Sequence, residues 1–295
     1  MKFVVGTTPG LRDARVFAVQ GELAVDLTSA DAGLGSDLTG VIDAWNADPA
    51  SLHALAGKGQ QHALSDITPC LPFATPGKIV CLGLNYAEHA REGGFDVPDY
   101  PALFLRLPTS IVASGAPMIL PAASETYDYE AELMVVIGKG GRHISEADAL
   151  DHVFGYTTFN DGSIREYQGK THQWTAGKNF DQTGAVGPIV VTRDEVPAGA
   201  RDLRIQTRLN GTIVQDSNTS DMIFPVESTI ALLSEIMTLH AGDLIAFGTP
   251  PGVGLARTPP LWMRAGDTVE VEIEKIGTCR NVIAAEVVGA RKEAE

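Results

Sequence analysis

Apolar and polar residues alternate along much of this chain, and that pattern predicts β-strands. Residues 269–273 alternate apolar side chains with glutamates, which indicates a strand with one solvated face. Residues 203–214 alternate about Asn210-Gly211, a dipeptide typical of two-residue hairpin turns. Apolar runs predict further strands at 2–5, 14–27 (two strands joined by a turn at 20–22), 78–84, 133–137, 152–161, 187–191 and 244–247.

Few segments have the spacing of an amphipathic helix. Residues 229–240 place Ile230, Leu233 and Met237 on one face, and Gly242 is the predicted end of that helix. Shorter helices are predicted at 38–45, 51–56 and 145–152. Many strands with few helices predict a mixed, β-rich α+β fold. A closed or rolled β structure fits this pattern better than a doubly wound sheet does.

A proline-rich segment divides the chain into two predicted domains. Residues 68–77 hold three prolines and a glycine, which is typical of a connector. We therefore predict a small N-terminal α/β domain at 1–72 and a larger catalytic domain at 73–295. A chain of 295 residues is long enough for both.

Composition and charge narrow the range of partners. The formal net charge of −15 argues against nucleic acid or an anionic membrane as a partner, because both need basic patches. The negative charge does not exclude a small anionic substrate, because such a substrate needs only a local cation or metal. The chain has three cysteines, an odd number, and their spacing is not that of a paired metal site. This indicates reduced thiols. The start of the chain has no adequate apolar signal region, so we expect a cytoplasmic location.

Two acidic residues open the buried strand predicted at 133–137. Side chains at i and i+2 of a strand share one side, so Glu130 and Glu132 are expected to lie close together. Asp161 ends the next predicted strand and adds a third carboxylate. An all-oxygen, trianionic set suits Mg²⁺, Mn²⁺ or Ca²⁺ rather than structural Zn²⁺. The alternative is a solvated strand end whose acids never meet.

Two further groups carry candidate chemistry. His89 and Glu92 are three residues apart, so a helical turn makes them neighbours, and a histidine oriented by a carboxylate can act as a general base. The alternative is an ordinary surface pair. Gly93 and Gly94 follow directly and suit a lid hinge. Lys178 could pair with the metal-binding carboxylates or a substrate enolate, or be a surface lysine.

Substrate contacts are less well defined by the sequence. Arg106 lies in an apolar context and could bind a substrate carboxylate or extend its charge to solvent. Gln168 and Thr249 are candidate hydrogen-bonding partners for the substrate. No Gly-x-x-x-x-Gly-Lys-Ser/Thr phosphate-binding motif occurs. No Gly-x-Ser-x-Gly motif occurs either, which argues against a serine hydrolase.

Several of these residues fall in motifs whose order and spacing resemble the fumarylacetoacetate hydrolase superfamily, in its acylpyruvase-like branch. The resemblance covers about residues 76–288. It is carried by Asn85-Tyr86-x-x-His89-x-x-Glu92, Tyr129-Glu130-x-Glu132, Asn160-Asp161, Gly177-Lys178-Asn179-Phe180-Asp181 and Gly248-Thr249-Pro250-x-Gly252-Val253.

The resemblance implies a mixed β-roll, a homodimer and a small-molecule keto or diketo acid as substrate. It implies Mg²⁺ or Mn²⁺, with Ca²⁺ as a further option, bound by the positions of Glu130, Glu132 and Asp161. By motif position, His89 and Glu92 would activate water from a lid, and Lys178 would assist beside the metal. Substrate-binding candidates are Tyr86, Arg106, Gln168 and Thr249.

Three hypotheses about function remain open from the sequence. The leading one is a metal-dependent hydrolase that cleaves a C–C bond of a β-diketo acid, such as an acylpyruvate or fumarylpyruvate, in carbon-compound and aromatic catabolism. The second is a β-keto-acid (oxaloacetate-like) decarboxylase or dienoate isomerase that uses the same metal site. The third is a metal-stabilised binding module without turnover.

Overall fold

The computed structural model describes residues 1–289, and it is rich in β-structure. The strands are β1 Lys2–Thr7, β2 Arg15–Gln20, β3 Leu23–Asp26, β4 Gln60–Ala63, β5 Thr68–Pro69, β6 Ile79–Gly83, β7 Ala102–Leu105, β8 Ile111–Ala113, β9 Met118–Leu120, β10 Tyr127–Asp128, β11 Ala131–Ile137, β12 Val153–Asn160, β13 Ser163–Ile164, β14 Gly184–Val186, β15 Ile189–Thr192, β16 Arg204–Leu209, β17 Thr212–Asn218, β18 Leu244–Ala246, β19 Thr268–Ile273 and β20 Gly277–Ala285.

The helices are short and lie mostly in the connections between strands. They are α1 Leu27–Ala30, α2 Leu38–Ala47, α3 Pro49–Ala56, α4 Ala87–Glu92, α5 Arg165–Gln168, α6 Thr175–Lys178 and α7 Val226–Ile236. Single turns of 3-10 helix lie at Ala32–Leu34, Leu64–Asp66, Pro108–Ser110, Ala149–His152, Arg193–Glu195, Ala198–Ala200, Thr219–Asp221 and Gly254–Ala256. Within residues 1–289, no helix has the length and apolar character needed to cross a bilayer.

A large mixed sheet runs through most of the molecule. Its strand order is β4-β3-β2-β1-β15-β12-β11-β18-β6-β7, with β5, β14 and β8 attached beside this path. The N-terminal strands join it through the antiparallel pair of β1 and β15. Most pairs are antiparallel, but β18 runs parallel to β6 and β14 parallel to β8. This confirms the β-rich mixed fold. The division into domains at 1–72 and 73–295 stays a prediction.

A second sheet covers one face of the central strands. Its order is β17-β16-β19-β20-β9. The hairpin of β16 and β17 turns at Asn210 and Gly211, whose φ angles of 51° and 79° are those a two-residue turn of this type needs. On β19, Val269, Val271 and Ile273 are buried whereas the glutamates between them are partly exposed, as the alternation predicts. The core between the two sheets includes Leu133, Val135 and other side chains of β11.

The central pair of β11 and β12 sets the position of the acidic residues. Both strands are buried along their whole length, which explains their nearly continuous apolar sequence. They are antiparallel, with Ala131 opposite Asn160. The start of β11 therefore lies beside the end of β12. This brings Glu130 and Glu132 next to Asp161.

Two predicted helices differ from the observed ones. The long helix α7 starts at Val226 and ends at Ile236, not at residue 240. It ends early because Leu239 forms an isolated β-bridge with Gly141, which requires extended backbone. The helix predicted at 145–152 is instead a hydrogen-bonded turn followed by the 3-10 helix Ala149–His152.

Candidate active site

Three buried carboxylates meet where β11 begins and β12 ends. Glu130, Glu132 and Asp161 each offer an oxygen atom that lies within 4.8 Å of the others. Their residues are at most 4% exposed. The alternative of a solvated strand end is therefore wrong. Carboxylates this close together and this deeply buried repel each other strongly unless cations lie among them.

Three basic side chains partly neutralise this cluster. Lys178 Nζ lies 2.6 Å from Glu130 Oε2 and 2.7 Å from Asp161 Oδ2. Arg165 contacts the other oxygen of Glu130 at 2.7 Å. Arg106 donates to Asp161 Oδ1. Lys178 is 2% exposed, so its interpretation as a surface lysine is also wrong.

Glu132 is the carboxylate that this network leaves least compensated. Among residues 1–289 it has no ion-pair partner, and its hydrogen bond comes from the backbone N–H of Gly248, 3.0 Å from Oε2. Burial and the neighbouring charges of Asp161 and Glu130 raise its pKa well above the usual value. A divalent cation would remove this penalty. The oxygen-only donor set and the uncompensated charge therefore fit a hard ion such as Mg²⁺ or Mn²⁺.

The other members of the cluster are held in their charged forms. Burial opposes ionisation of Glu130, but Lys178, Arg165 and His89 outweigh it and lower the pKa of Glu130 to about 2. Burial likewise disfavours the ammonium of Lys178, yet Asp161 and Glu130 raise its pKa above the usual value. The site thus retains an anionic Glu130 beside a cationic Lys178. Both charges are buried, so the site is strongly polar although little of it is exposed to solvent.

Helix α4 carries a histidine–glutamate pair to the same cavity. His89 Nδ1 lies 2.8 Å from Glu92 Oε1, and the two side chains are only 12% and 21% exposed. The predicted helical spacing of this pair is confirmed. Glu92 is fixed in turn by the backbone N–H of Gly252, which lies 3.1 Å from Oε1 and 2.9 Å from Oε2. The backbone of the neighbouring loop therefore holds Glu92, and both residues of the pair line the cavity.

A loop at 248–257 closes the site and is anchored by two residues. The carboxylate of Asp128 accepts from the N–H groups of Gly254 and Leu255 at 2.7 and 3.0 Å. Arg257 Nε lies 3.2 Å from the carbonyl oxygen of Gly252 and 3.0 Å from the hydroxyl of Tyr129. The loop that orients Glu92 is thus tied to Asp128 and Tyr129, which directly precede Glu130.

Glu130, Glu132, Lys178 and the His89–Glu92 pair line a cavity of about 560 Å³, the size range of small-molecule sites, whereas Asp161 is not among its lining residues. Its apolar wall includes Leu84, Phe95, Phe104, Trp174 and Leu255. Its polar lining consists of His89, Glu92, Glu130, Glu132, Arg165, Gln168, Thr171, His172, Lys178 and Thr249.

The structure separates the four predicted substrate contacts into two groups. Gln168 and Thr249 line the cavity. Tyr86 and Arg106 do not, being 1% and 2% exposed in the surrounding core. The guanidinium of Arg106 is fully occupied by Asp161, Ser110, Thr183 and the carbonyl oxygen of Gly162. Its geometry is that of a support for Asp161.

Four residues that shape the site were not predicted from the sequence: Asp128, Arg165, Gln215 and Arg257. Asp128 had a usable signal, because it precedes Glu130 by two residues and so shares its side of the chain. Arg165 bridges Asp128 and Glu130: its Nε lies 2.8 Å from Asp128 Oδ2, and its guanidinium also contacts Glu130. Gln215 and Arg257 have no local signal, since their partners are distant in sequence.

Gly252 provides a test of the loop that orients Glu92. Its φ is +100°, and a Cβ there would lie 2.5 Å from the carbonyl oxygen of Val214. We expect Gly252→Ala to lower the free energy of unfolding by about 1–3 kcal/mol and turnover by at least about tenfold, because Glu92 loses its anchor. Chemical denaturation and steady-state kinetics measure the two effects.

Gly211→Ala is the matched control for this substitution. Gly211 also has a positive φ, +79°, but nothing lies within 4 Å of its added Cβ, and it is in a hairpin turn. It should lose stability with unchanged turnover. Equal turnover in both variants would contradict the role of the loop.

The chain is similar to several known proteins. A family model described as "Fumarylacetoacetate (FAA) hydrolase C-terminal" matches residues 78–284. The chain is 44% identical over 227 residues to the mitochondrial oxaloacetate tautomerase fahd2 of Xenopus laevis, covering 76% of this chain and 71% of that protein.

Solved structures are similar over nearly the whole chain. A fumarylacetoacetate hydrolase from Exiguobacterium antarcticum has a TM-score of 0.82 and 30% identity, covering 97% of this chain and all of that one. A 2-hydroxyhepta-2,4-diene-1,7-dioate isomerase from Mycobacterium marinum has a TM-score of 0.75 and 32% identity, covering 97% and 99%. These similar proteins thus differ in the reaction that each is named for.

Proposed function

The chain belongs to the fumarylacetoacetate hydrolase family, and from this premise we propose that it interconverts the keto and enol forms of an oxaloacetate-like 2-keto acid. The observation that carries the proposal is the oriented His89–Glu92 pair, which lines the same cavity as the buried acidic cluster. The cavity thus brings a proton-transferring group and a site for an anionic, enolisable ligand together.

In this proposal, His89 moves the proton. A carboxylate can only accept, so Glu92 keeps the hydrogen of the neutral imidazole on Nδ1 and leaves the lone pair of Nε2 free. Nε2 can then take a proton from the carbon next to the keto group, while the bonding pair moves toward the keto oxygen. Return of a proton to that oxygen completes the enol, so one proton moves and no bond to carbon or oxygen is hydrolysed.

Charge on the forming enolate needs compensation. Lys178 is a buried ammonium in the cavity wall, and donors fixed in a dry site stabilise developing negative charge strongly. When bound by Glu130, Glu132 and Asp161, Mg²⁺ or Mn²⁺ would supply Lewis-acid polarisation of the keto group.

The tautomerase hypothesis replaces hydrolysis as the leading one. The Xenopus laevis relative, at 44% identity, is named an oxaloacetate tautomerase. This supports the oxaloacetate-like substrate of the second hypothesis better than acylpyruvate cleavage, but it does not support decarboxylation. C–C hydrolysis is the second candidate, because the Exiguobacterium antarcticum structure is named a hydrolase. The reactions differ in one requirement: hydrolysis consumes a water that His89 would activate, and tautomerisation does not.

The test follows the enol form of oxaloacetate by its ultraviolet absorbance, with Mg²⁺ or Mn²⁺ and with a chelated control. We expect metal-dependent loss of the enol that exceeds the buffer rate, without matching release of pyruvate or CO₂. Release of CO₂ would favour a decarboxylase. Cleavage of acylpyruvates without effect on oxaloacetate would reject the proposal in favour of the hydrolase. Metal binding without any turnover would favour the binding module.

Other expectations from the sequence stay predictions. They are the homodimer, the cytoplasmic location, the lack of nucleic-acid and membrane partners, and a role in carbon-compound catabolism. The name of the Xenopus laevis relative includes a mitochondrial location for that protein. Size-exclusion chromatography with light scattering would test the dimer directly.

A further inference from the structure

Gln215 on β17 is a buried amide with four hydrogen bonds, three of which reach Ala131, Thr249 and Pro250 beside the site. Its residue is 2% exposed. The Oε1 atom accepts from the backbone N–H of Ala131 at 3.0 Å and from the hydroxyl of Thr207 at 2.6 Å. The Nε2 atom donates to Thr249 Oγ1 and to the carbonyl oxygen of Pro250, both at 2.8 Å.

This arrangement fixes which end of the Gln215 amide faces Thr249. The N–H of Ala131 can only donate, so it requires the carbonyl end of the amide, and the carbonyl of Pro250 can only accept, so it requires the NH₂ end. A flipped amide would oppose donor to donor and acceptor to acceptor. The two backbone groups therefore hold Nε2 against the hydroxyl of Thr249.

The orientation of the Thr249 hydroxyl follows from that of the amide. Its oxygen accepts from Gln215, so its own hydrogen must point elsewhere. In the part of the chain that the structure describes, Thr249 Oγ1 makes no second hydrogen bond, and Thr249 lines the cavity. The hydrogen is thus available to a ligand.

We propose that Gln215 is a positioning residue that presets Thr249 as a hydrogen-bond donor to an anionic oxygen of the substrate. Gly248 precedes Thr249 and donates to Glu132, so the donor lies next to the acidic cluster. That the ligand is a keto-acid anion rests on the proposed function. That the Thr249 hydroxyl donates to the ligand rests on the hydrogen bonds alone.

The decisive variant is Gln215→Glu, which keeps the shape and reverses the polarity of one end. A carboxylic acid has at most one proton where the amide has two. The carbonyl of Pro250 can use only a donor, so Thr249 must then turn its hydrogen toward residue 215. We expect binding of oxalate, a stable analogue of a keto-acid enolate, to weaken about 10- to 100-fold in the presence of Mg²⁺.

Thr249→Val and the double variant separate positioning from mere packing. Thr249→Val removes the donor and should weaken oxalate by a similar factor. Since both substitutions remove the same hydrogen bond, the double variant should bind no more weakly than Thr249→Val alone. Additive losses would overturn the proposal. If Gln215→Glu does not fold, Gln215→Met replaces it in the same cycle, because it also removes the donor to Thr249.

Gln206→Glu on the neighbouring strand β16 is the matched control. Gln206 is also buried, at 4%, but it is opposite Asp216 in the strand pairing whereas Gln215 is opposite Thr207, so it lies on the other face. It should leave oxalate affinity unchanged. Mn²⁺ affinity, measured in parallel, should change little in Gln215→Glu; a loss as large as that of oxalate would mean that residue 215 acts through the metal site and would overturn the proposal.

Calorimetric measurement of oxalate binding distinguishes a failure of this inference from a failure of the proposed function. A wild-type protein that binds oxalate with the predicted coupling but does not act on oxaloacetate would refute the function and leave the positioning role supported. An active wild-type protein without coupling would refute the positioning role alone. A wild-type protein that binds no oxalate would also overturn it, because the preset donor would then have no anion to serve.

Discussion

We expect Glu132→Gln to remove divalent-metal binding and turnover while the protein stays folded. Glu132 is the buried carboxylate without an ion-pair partner in the described chain, so it gains most from a bound cation. Loss of a group that only supports a metal ligand already costs about 10- to 100-fold in affinity, and loss of the ligand should cost more. Calorimetric titration with Mn²⁺ and the enol assay measure both effects.

The same substitution should have the opposite effect on the metal-free protein. A carboxyl whose pKa is raised on folding destabilises the folded state above its unfolded-state pKa, near 4.5, and the penalty grows until the pH passes the raised pKa. Metal-free Glu132→Gln should therefore unfold at a higher temperature than the metal-free wild type at pH 7, and the difference should shrink toward pH 4.5. Thermal unfolding over this pH range gives the measurement.

Metal should reverse that order. Mg²⁺ or Mn²⁺ at about 100 times its dissociation constant stabilises a binding protein by about 2.7 kcal/mol, so the wild type gains stability and Glu132→Gln does not. Glu235→Gln, an exposed change on α7, should respond as the wild type does. Equal stabilisation of Glu132→Gln by metal would contradict the ligand assignment and favour a network neutralised by Lys178, Arg165 and Arg106 without a metal.

The acidic cluster could be predicted because its geometry is local. The alternation of a strand puts Glu130 and Glu132 on one side, and a short connection returns the chain antiparallel, so that Asp161 arrives at the same end. The spacing of His89 and Glu92 is likewise a property of one helical turn. In each case the nearest neighbours in space are near in sequence or in consecutive strands.

The supports of the site could not be predicted because their partners are distant in sequence. Gln215 reaches Ala131, 84 positions away, and Arg257 reaches Tyr129, 128 positions away. Such contacts depend on how the second sheet packs against the central strands. Arg106 illustrates the same limit, because its sequence context suits a substrate carboxylate as well as it suits Asp161.

The second large effect is expected from His89→Ala, which should lower turnover about 10²- to 10⁴-fold, the usual contribution of a positioned general base. Metal affinity should change little, because the imidazole hydrogen-bonds to Glu92 and not to the acidic cluster. This combination separates the residue that moves the proton from the residues that hold the ion, and Mn²⁺ titration beside the enol assay measures it. His53→Ala, an exposed change on α3, is the matched control and should leave both quantities unchanged.

Glu92→Gln extends the test from the base to its orientation. The amide can still accept from His89 Nδ1 through its oxygen, but it must then turn its NH₂ toward the N–H of Gly252, which also donates. The contact of Gly252 with the Oε2 position is therefore lost, whereas the contacts of Oε1 with His89 and Gly252 can remain. Turnover should fall by less than in His89→Ala. Full turnover in His89→Ala would exclude the histidine as the base.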